Sequence, residues 1–298
     1  MTLLPALADS LGHVVWRAAA RVTSALADTL PPGGDIHAYA VLVALADEPP
    51  RSQQWLADAV ATSRTTLTRV AGQLVADGLV ERVRNADDRR AYALTRTPAG
   101  ATAVTSWARH VAVVEDSLVA GLTDAERVEL HSLLVAQVGQ DLAEETPTPL
   151  LASTAFLVIR LHARLHAEVA ADLGELDVEP RHLGTFLVLR RTGPVAQAEL
   201  ARHLGISGPS VVEIVDQLER RGALERRRST TDRRTQLLHL LPLGEELLPT
   251  VHGRADAAAD RVLGRLSVVQ RDRLRRLLVR VVTGGSPSGS PSGSPSGS

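Results

Sequence analysis

The chain has 298 residues, a formal net charge of −1 and no cysteine. Its length suits about two domains of ordinary size. The missing cysteine excludes disulfides and thiol redox chemistry, and the near-zero net charge disfavours a protein that coats nucleic acid without selectivity. No apolar run approaches the roughly 20 residues of a membrane span, and no secretory signal is evident, so we expect a cytoplasmic protein with no membrane partner.

Helices dominate the predicted elements at the start of the chain. Apolar periodicity predicts one long helix over residues 7–26, a second over residues 36–46 and a short third helix around Leu56. Ser63 is a predicted N-cap of a fourth helix, which Gly78 ends. The predicted buried face of this fourth helix consists of four apolar residues: Leu67, Val70, Ala71 and Leu74.

A hairpin and two long helices follow the fourth helix. Strand-like residues at 79–84 and 90–95 flank a polar tip, which predicts two antiparallel strands. Pro98 fits the first turn of a fifth helix, and Asp124 begins a sixth. The run Thr146–Pro149 is predicted to be a short, stiff linker to the rest of the chain.

The whole order recurs 144 residues later without a gap. Thirteen residues between positions 63 and 100 reappear unchanged between positions 207 and 244, which indicates a duplicated domain rather than a solenoid repeat. We therefore predict a first domain over residues 1–146 and a second over residues 147–283. Residues 284–298 form a Gly-Ser-Pro repeat that cannot bury a core, so we predict a disordered tail.

Three short helices followed by a hairpin are typical of a winged helix-turn-helix, and the long flanking helices make the pattern more specific. In the second copy it is carried by Glu199-Leu200-Ala201, Leu204-Gly205, Ser207, Val211 to Glu219, Gly222, Leu224-Glu225-Arg226, Asp232-Arg233-Arg234 and Leu241-Pro242. On these residues the chain resembles, twice, the MarR family (multiple antibiotic resistance regulators). The resemblance covers nearly all of the chain outside the tail.

The resemblance implies a mainly α fold with small β-wings. Members of the family are typically homodimers that join through their first and last helices and place a recognition helix and a wing from each subunit on DNA. Here it implies two winged helix-turn-helix domains joined as an intramolecular pseudo-dimer through long terminal helices, so that one monomeric chain is equivalent to a dimer. The expected partner is double-stranded promoter DNA, and we expect no cofactor.

The predicted recognition helices carry polar side chains opposite their buried faces, as a helix in the major groove requires. Arginine can bind guanine through two hydrogen bonds, and hydroxyls can reach phosphates or bases. The predicted DNA-binding residues are Ser63, Arg64, Thr65, Thr66, Thr68, Arg69, Arg82, Arg84, Arg89 and Arg90 in the first half, and Ser207, Ser210, Arg228, Arg233 and Arg234 in the second. Asp88 and Asp232 are predicted to stabilise the wings, and the alternative for both hairpins is a solvated, charged surface.

The two predicted recognition helices differ in charge. Thr68 and Arg69 correspond to Val212 and Glu213, and Asp216 adds a second acid to the outward face. Carboxylates beside phosphate should weaken a salt-dependent contact. Two interpretations stay open: the second half reads an unrelated half-site, which makes the operator asymmetric, or it has lost specific reading and serves mainly as the dimer partner.

A ligand cleft between the dimer helices and the winged domain is a further implication of the resemblance. His13 and Trp16 on the first helix, with His37 and Tyr39 on the second, could line it in the first half and hold a small aromatic or drug-like ligand. The alternative is ordinary core packing. His162 and His166 are spaced to share a metal, but no third ligand can be assigned, so we expect no metal site.

The leading hypothesis is a ligand-responsive transcriptional regulator, acting as a repressor that a small molecule releases from DNA. A second hypothesis is a protein that has kept the cleft to sequester a small molecule and has weakened DNA binding. An enzyme built on the cleft is disfavoured, because the sequence offers no catalytic residues in the form of a nucleophile, a base and an orienting group.

Overall fold

The computed structural model describes residues 3–32, 34–46, 49–84, 92–228 and 235–284. Six of the predicted wing residues lie outside the described residues: Asp88, Arg89, Arg90, Asp232, Arg233 and Arg234. The predicted tail also lies outside them, apart from Gly284.

Each half of the chain is a set of helices with one small sheet. The first half contains α1 (Pro5–Asp9), α2 (Leu11–Thr29), α3 (Ile36–Ala44), β1 (Arg51–Ser52), α4 (Gln53–Ala59), α5 (Arg64–Ala76), β2 (Val80–Arg84), β3 (Tyr92–Arg96), α6 (Pro98–Val119) and α7 (Asp124–Val138). The second half contains α8 (Thr148–Leu151), α9 (Thr154–Leu173), α10 (Pro180–Thr192), β4 (Val195–Ala196), α11 (Gln197–Leu204), α12 (Gly208–Arg220), β5 (Leu224–Arg228), β6 (Gln236–Leu240), α13 (Pro242–Val262) and α14 (Val268–Thr283).

Local capping explains where the helices begin. The Ser63 hydroxyl accepts a hydrogen bond from the Thr66 amide at 3.1 Å, so it caps α5 as predicted. One helix was predicted over residues 7–26, but the structure divides it at Ser10. The backbone of Ser10 is extended, and its hydroxyl caps α2 by accepting the amide of His13. The prediction of one continuous helix is therefore wrong, because the spacing of apolar residues does not reveal an N-cap inside residues 7–26.

The sheets contain one strand more than the predicted hairpins. In both halves a two-residue strand before the second helix of the winged domain pairs with the return strand of the wing. Arg51 lies opposite Leu94 in the first sheet, and Val195 lies opposite Leu238 in the second. Both residues of the second pair lie 144 positions after those of the first, so the duplication preserves the strand register as well as the helices.

The predicted linker is partly helical. Thr148 and Pro149 begin the short helix α8, which packs against α3 of the first half. The equivalent helix α1 packs against α10 of the second half. Each half thus places its first short helix on the winged domain of the other.

The halves meet through their longest helices. The helix α2 packs against α9, while α14 packs on α2 and α7 packs on α9. This arrangement has an approximate two-fold relation and confirms the predicted fold class of two winged helix-turn-helix domains joined through terminal helices. None of the helices in the described ranges is long and apolar enough to cross a membrane.

An ion pair on the pseudo-two-fold axis could not exist in a symmetric homodimer. Arg273 binds the carboxylate of Glu129 through two nitrogens, at 3.0 Å from Nε and 2.7 Å from Nη2. These two residues are 144 positions apart and are therefore equivalent in the two copies. Identical subunits would place like charges there, because a residue on a two-fold axis meets its own copy. The fused chain replaces that repulsion with attraction.

Candidate DNA-binding surfaces and ligand cavity

The first recognition helix presents an exposed polar face. Arg64, Thr65 and Thr68 are exposed on α5, while the four predicted apolar residues are buried. The Thr68 hydroxyl donates to the Arg64 carbonyl at 2.8 Å. Ser63 and Thr66 pair their hydroxyls at 2.9 Å within the N-cap. Their first role is therefore to fix the start of the helix.

An ion pair attaches each recognition helix to the helix that opens its winged domain. In the first half, Arg69 lies 3.4 Å from Asp35, the N-cap of α3, and its side chain remains 64% exposed. In the second half the signs are exchanged, because Glu213 lies 2.9 Å from Arg181 of α10. Arg181 lowers the pKa of the Glu213 carboxyl through a hydrogen bond and its charge. Glu213 is exposed on the outward face, and its charge has an internal partner in Arg181 that the sequence did not reveal.

The two wings also use their equivalent arginines differently. Arg226 binds the carboxylates of Asp216 and Glu219 on α12, and its side chain is only 19% exposed. Its equivalent Arg82 is exposed, and the positions equivalent to Asp216 and Glu219 are the uncharged Gly72 and Val75. On the first strand of each wing, Arg82 and Arg84 form no ion pair within the described residues, whereas in the second half only Arg228 is left without one.

Two further predicted DNA-binding arginines lie at the ends of the wing strands. Arg84 and Arg228 are both exposed at the last positions of their strands. Arg227 pairs with Glu225. In the second half, Ser207 caps α12, and the Ser207 and Ser210 hydroxyls lie 2.8 Å apart.

A cavity of about 940 Å³ lies between the halves. The start of α2 forms one side with His13 and Trp16, and α9 contributes His162 and His166. The opposite wall comes from the second winged domain, including Ile214 on its recognition helix. The helices α13 and α14 complete the enclosure. The cavity therefore touches dimer helices from both halves and one recognition helix.

The four predicted ligand residues do not lie together. His13 and Trp16 are in contact, with ring centroids 5.3 Å apart, and both line the cavity. His37 and Tyr39 are not among its lining residues. The His37 ring instead lies 3.1 Å from the guanidinium of Arg160, and Tyr39 is buried. The predicted grouping is corrected because α2 crosses to the other half's winged domain, which no local pattern reveals.

Comparison with known proteins agrees with this architecture. A family model described as "MarR family" matches residues 33–91 and again residues 176–235. Two regions of the chain therefore match the MarR family, in tandem. A curated relative, a putative transcriptional regulatory protein for the hcr operon of Thauera aromatica, is 37% identical over 109 residues. That match covers 37% of this chain and 64% of the relative.

Two solved structures that are similar to part of this chain are each about half its length. A probable transcriptional regulator from Pseudomonas aeruginosa is 26% identical, with a TM-score of 0.42, and the match covers 44% of this chain and 97% of that one. The regulator CouR from Rhodococcus jostii RHA1, solved with p-coumaroyl-CoA, is 23% identical, with a TM-score of 0.41 and coverage of 46% and 96%.

Two of the histidines that line the cavity, His13 and His162, are uncharged at neutral pH. Burial, reinforced by the charge of Arg17, lowers the pKa of His13 to about 3. Burial also lowers the pKa of His162 to about 4, with a further contribution from the neighbouring ring of His166. The two rings are 5.9 Å apart. Within the described ranges, no group of three or more His, Cys, Asp or Glu residues could hold a metal ion.

Acidification from pH 7 to pH 5 is expected to destabilise the protein. Burial lowers the pKa of His37 to about 4, as it lowers the pKa of His13 and His162. Between these values and the unfolded pKa of about 6.5, the unfolded state binds more protons. The stabilisation is complete above that pH and is lost as the pH falls, by about 2 kcal/mol for each imidazole at pH 5.

Thermal denaturation at the two pH values measures this effect. The variant His162→Gln removes one of the three groups, so its Tm should fall less between pH 7 and pH 5 than that of the parent. An unchanged parent Tm at pH 5 would contradict the burial of neutral imidazoles.

Proposed function

We propose that the chain is a ligand-responsive transcriptional repressor that binds double-stranded promoter DNA as a single-chain pseudo-dimer. The observation that carries the proposal is the position of the cavity, which contacts dimer helices and the recognition helix α12. The resemblance of both halves to MarR-family domains supports the DNA-binding part. The match to a putative regulatory protein for an operon supports a role in transcription.

The mechanism follows from which elements the cavity joins. A small aromatic molecule between α2 and Ile214 would change the position of α12 relative to the dimer helices. It releases DNA only if it binds the DNA-incompetent arrangement more tightly than the competent one. Because both recognition helices belong to one chain, DNA affinity should not depend on a monomer–dimer equilibrium.

A titration of the purified chain on the promoter DNA that flanks its coding region tests this function. At two salt concentrations, we expect sequence-dependent binding of one chain per site, weaker at higher salt. A scrambled duplex of the same length is the control. Equal affinity for both duplexes would contradict specific regulation.

Sequestration of a small molecule is a second candidate function. It is favoured by the second recognition helix, where Asp216 and Glu219 neutralise Arg226 and Glu213 is exposed. In that case the cavity would bind its ligand while the titration with promoter DNA shows only weak, sequence-independent binding.

A further inference from the structure

The duplication predicts two equivalent clefts, one for each winged domain. The open cavity lies between the second winged domain and α2, the long helix of the first half. Two of its lining positions have larger equivalents 144 residues away in the other cleft, because Gly12 corresponds to Phe156 and Ala259 to Glu115. A third position exchanges an aromatic ring for a charge, because Trp16 corresponds to Arg160. The two clefts therefore differ in the volume and charge of what fills them.

Arg160 occupies the first cleft. Its Nη2 lies 3.1 Å from Nδ1 of His37, and its Nη1 donates to the carbonyls of Val60, at 3.3 Å, and Ala61. The guanidinium lies 5.3 Å from the ring centre of the fully buried Phe156. Burial lowers the pKa of Arg160 to about 10, so the group is still charged at neutral pH. The side chain thus crosses from α9 to the first winged domain, where a ligand would otherwise lie.

Glu115 is the first-half equivalent of Ala259 and lies near Tyr39. It is half-buried, and its carboxylate accepts hydrogen bonds from the Ser153 hydroxyl and from the Ala155 amide at 2.9 Å. Burial raises the pKa of the Glu115 carboxyl. Tyr39 is buried in the same region of the first half. Side chains of this chain therefore take the place of a ligand there.

The second cleft stays open because the arginine that contacts the second winged domain is at a different position of the helix from Arg160. Arg17, one position after the aligned residue Trp16, donates to the carbonyl of His203 at 3.0 Å. It holds the turn before α12 without crossing the cavity, so Trp16 is left to line the wall. A side chain at Gly12 would meet nothing within 4 Å, which marks empty space where Phe156 lies in the other copy.

The charges around the open cleft are already paired. Arg181 binds Glu213, Arg271 binds Asp260 at 2.7 Å, and Arg275 binds Asp272 at 2.7 Å. No lining arginine is thus left unpaired to receive an anion. His13 also lines the cavity, and its ring is uncharged at neutral pH because burial lowers its pKa to about 3. A cavity whose arginines are paired and whose imidazole is neutral favours an uncharged ligand, because burying an unpaired charge is costly.

We propose that the chain binds one ligand, an uncharged aromatic molecule, in the second cleft only, while Arg160 and Phe156 close the first. This inference rests on the proposed ligand response but concerns stoichiometry and ligand class. In a regulator of this kind, the signal would enter through the second winged domain alone.

A matched pair of fluorescent dyes tests both parts on the full chain. N-Phenyl-1-naphthylamine is uncharged, and 8-anilinonaphthalene-1-sulfonate has the same rings with an added anion. We expect one uncharged dye per chain in a fluorescence titration, and at least tenfold weaker binding of the sulfonate. Two dyes per chain, or equal affinity for the anion, would overturn the proposal.

Substitutions at the two clefts identify the binding position. Gly12→Phe should reduce dye affinity at least tenfold, whereas Gly253→Phe, at an exposed glycine with equal space on α13, should leave it unchanged. Arg160→Ala should raise the stoichiometry to two. Dye binding that persists in Gly12→Phe would overturn the placement even if Arg160→Ala fails to fold.

The dye experiment does not need DNA, so it is independent of the proposed regulatory function. One dye per chain with no binding to promoter DNA would reject the regulator and retain the one-cleft inference. Specific DNA binding with two dyes per chain would retain the regulator and reject the one-cleft inference.

Discussion

Replacing Arg64 by alanine is expected to weaken binding to the operator by about tenfold to a hundredfold, equivalent to roughly 1–3 kcal/mol. Arg64 is exposed at the first position of α5, and its side chain forms no ion pair within the described residues. The N-terminal end of a recognition helix is the part that reaches base edges in the major groove. Fluorescence anisotropy with a labelled promoter duplex at fixed salt measures the loss.

The control for Arg64→Ala is Arg109→Ala, which removes an equal charge from the exposed surface of α6. The control should leave affinity unchanged. The position equivalent to Arg64 in the second helix is Gly208, which has no side chain to donate. Base changes in the half-site under α5 should therefore cost more affinity than those under α12. Equal losses from Arg64→Ala and Arg109→Ala would show that α5 does not read the DNA.

Gly205→Ala is expected to lower the stability of the folded chain by about 2–4 kcal/mol. Gly205 ends α11 with φ +65, and an added Cβ would lie 2.2 Å from Cζ of Arg17. Arg17 is buried and hydrogen-bonded to the carbonyl of His203, so it cannot move away without leaving polar groups unpaired. The strain of the left-handed backbone adds to this cost. Urea denaturation measures the change in the free energy of unfolding.

Gly222→Ala separates the two contributions. Gly222 has φ +74, but a Cβ there would meet nothing within 4 Å. Only the backbone strain remains, so the expected loss is about 1 kcal/mol. If both variants lose the same stability, the contact of Arg17 with the turn of the second winged domain does not exist in solution.

The local elements could be predicted because their signals are local. Ser63 lies three residues before the amide it caps, and the buried face of α5 follows from the spacing of Leu67, Val70 and Leu74. The same local method failed at Ser10, where a cap interrupts an unbroken apolar stripe. It also missed β1, because two residues are too few to show an alternating pattern.

The candidate site could be predicted only in part. The prediction that Arg64, Thr65 and Thr68 occupy an outward face needed only the helical period, and the exposure of these side chains in the structure agrees with it. The exchange of signs between the Arg69 and Glu213 ion pairs could not be predicted, because their partners are 34 and 32 residues away. Contact of DNA with Arg69, and with the wing arginines that lie outside the described residues, stays a prediction.

The sequence by itself determined the duplication, the order of the elements and the MarR-family resemblance, since all three depend on residue spacing along the chain. Only the tertiary structure decided which half each cleft belongs to. The contacts that decide it, from Arg160 to Ala61 and from Arg17 to His203, join residues 99 and 186 positions apart. Such contacts arise when helices from both halves pack together. The difference between a closed and an open cleft is therefore a property of the packed pseudo-dimer and of neither copy alone.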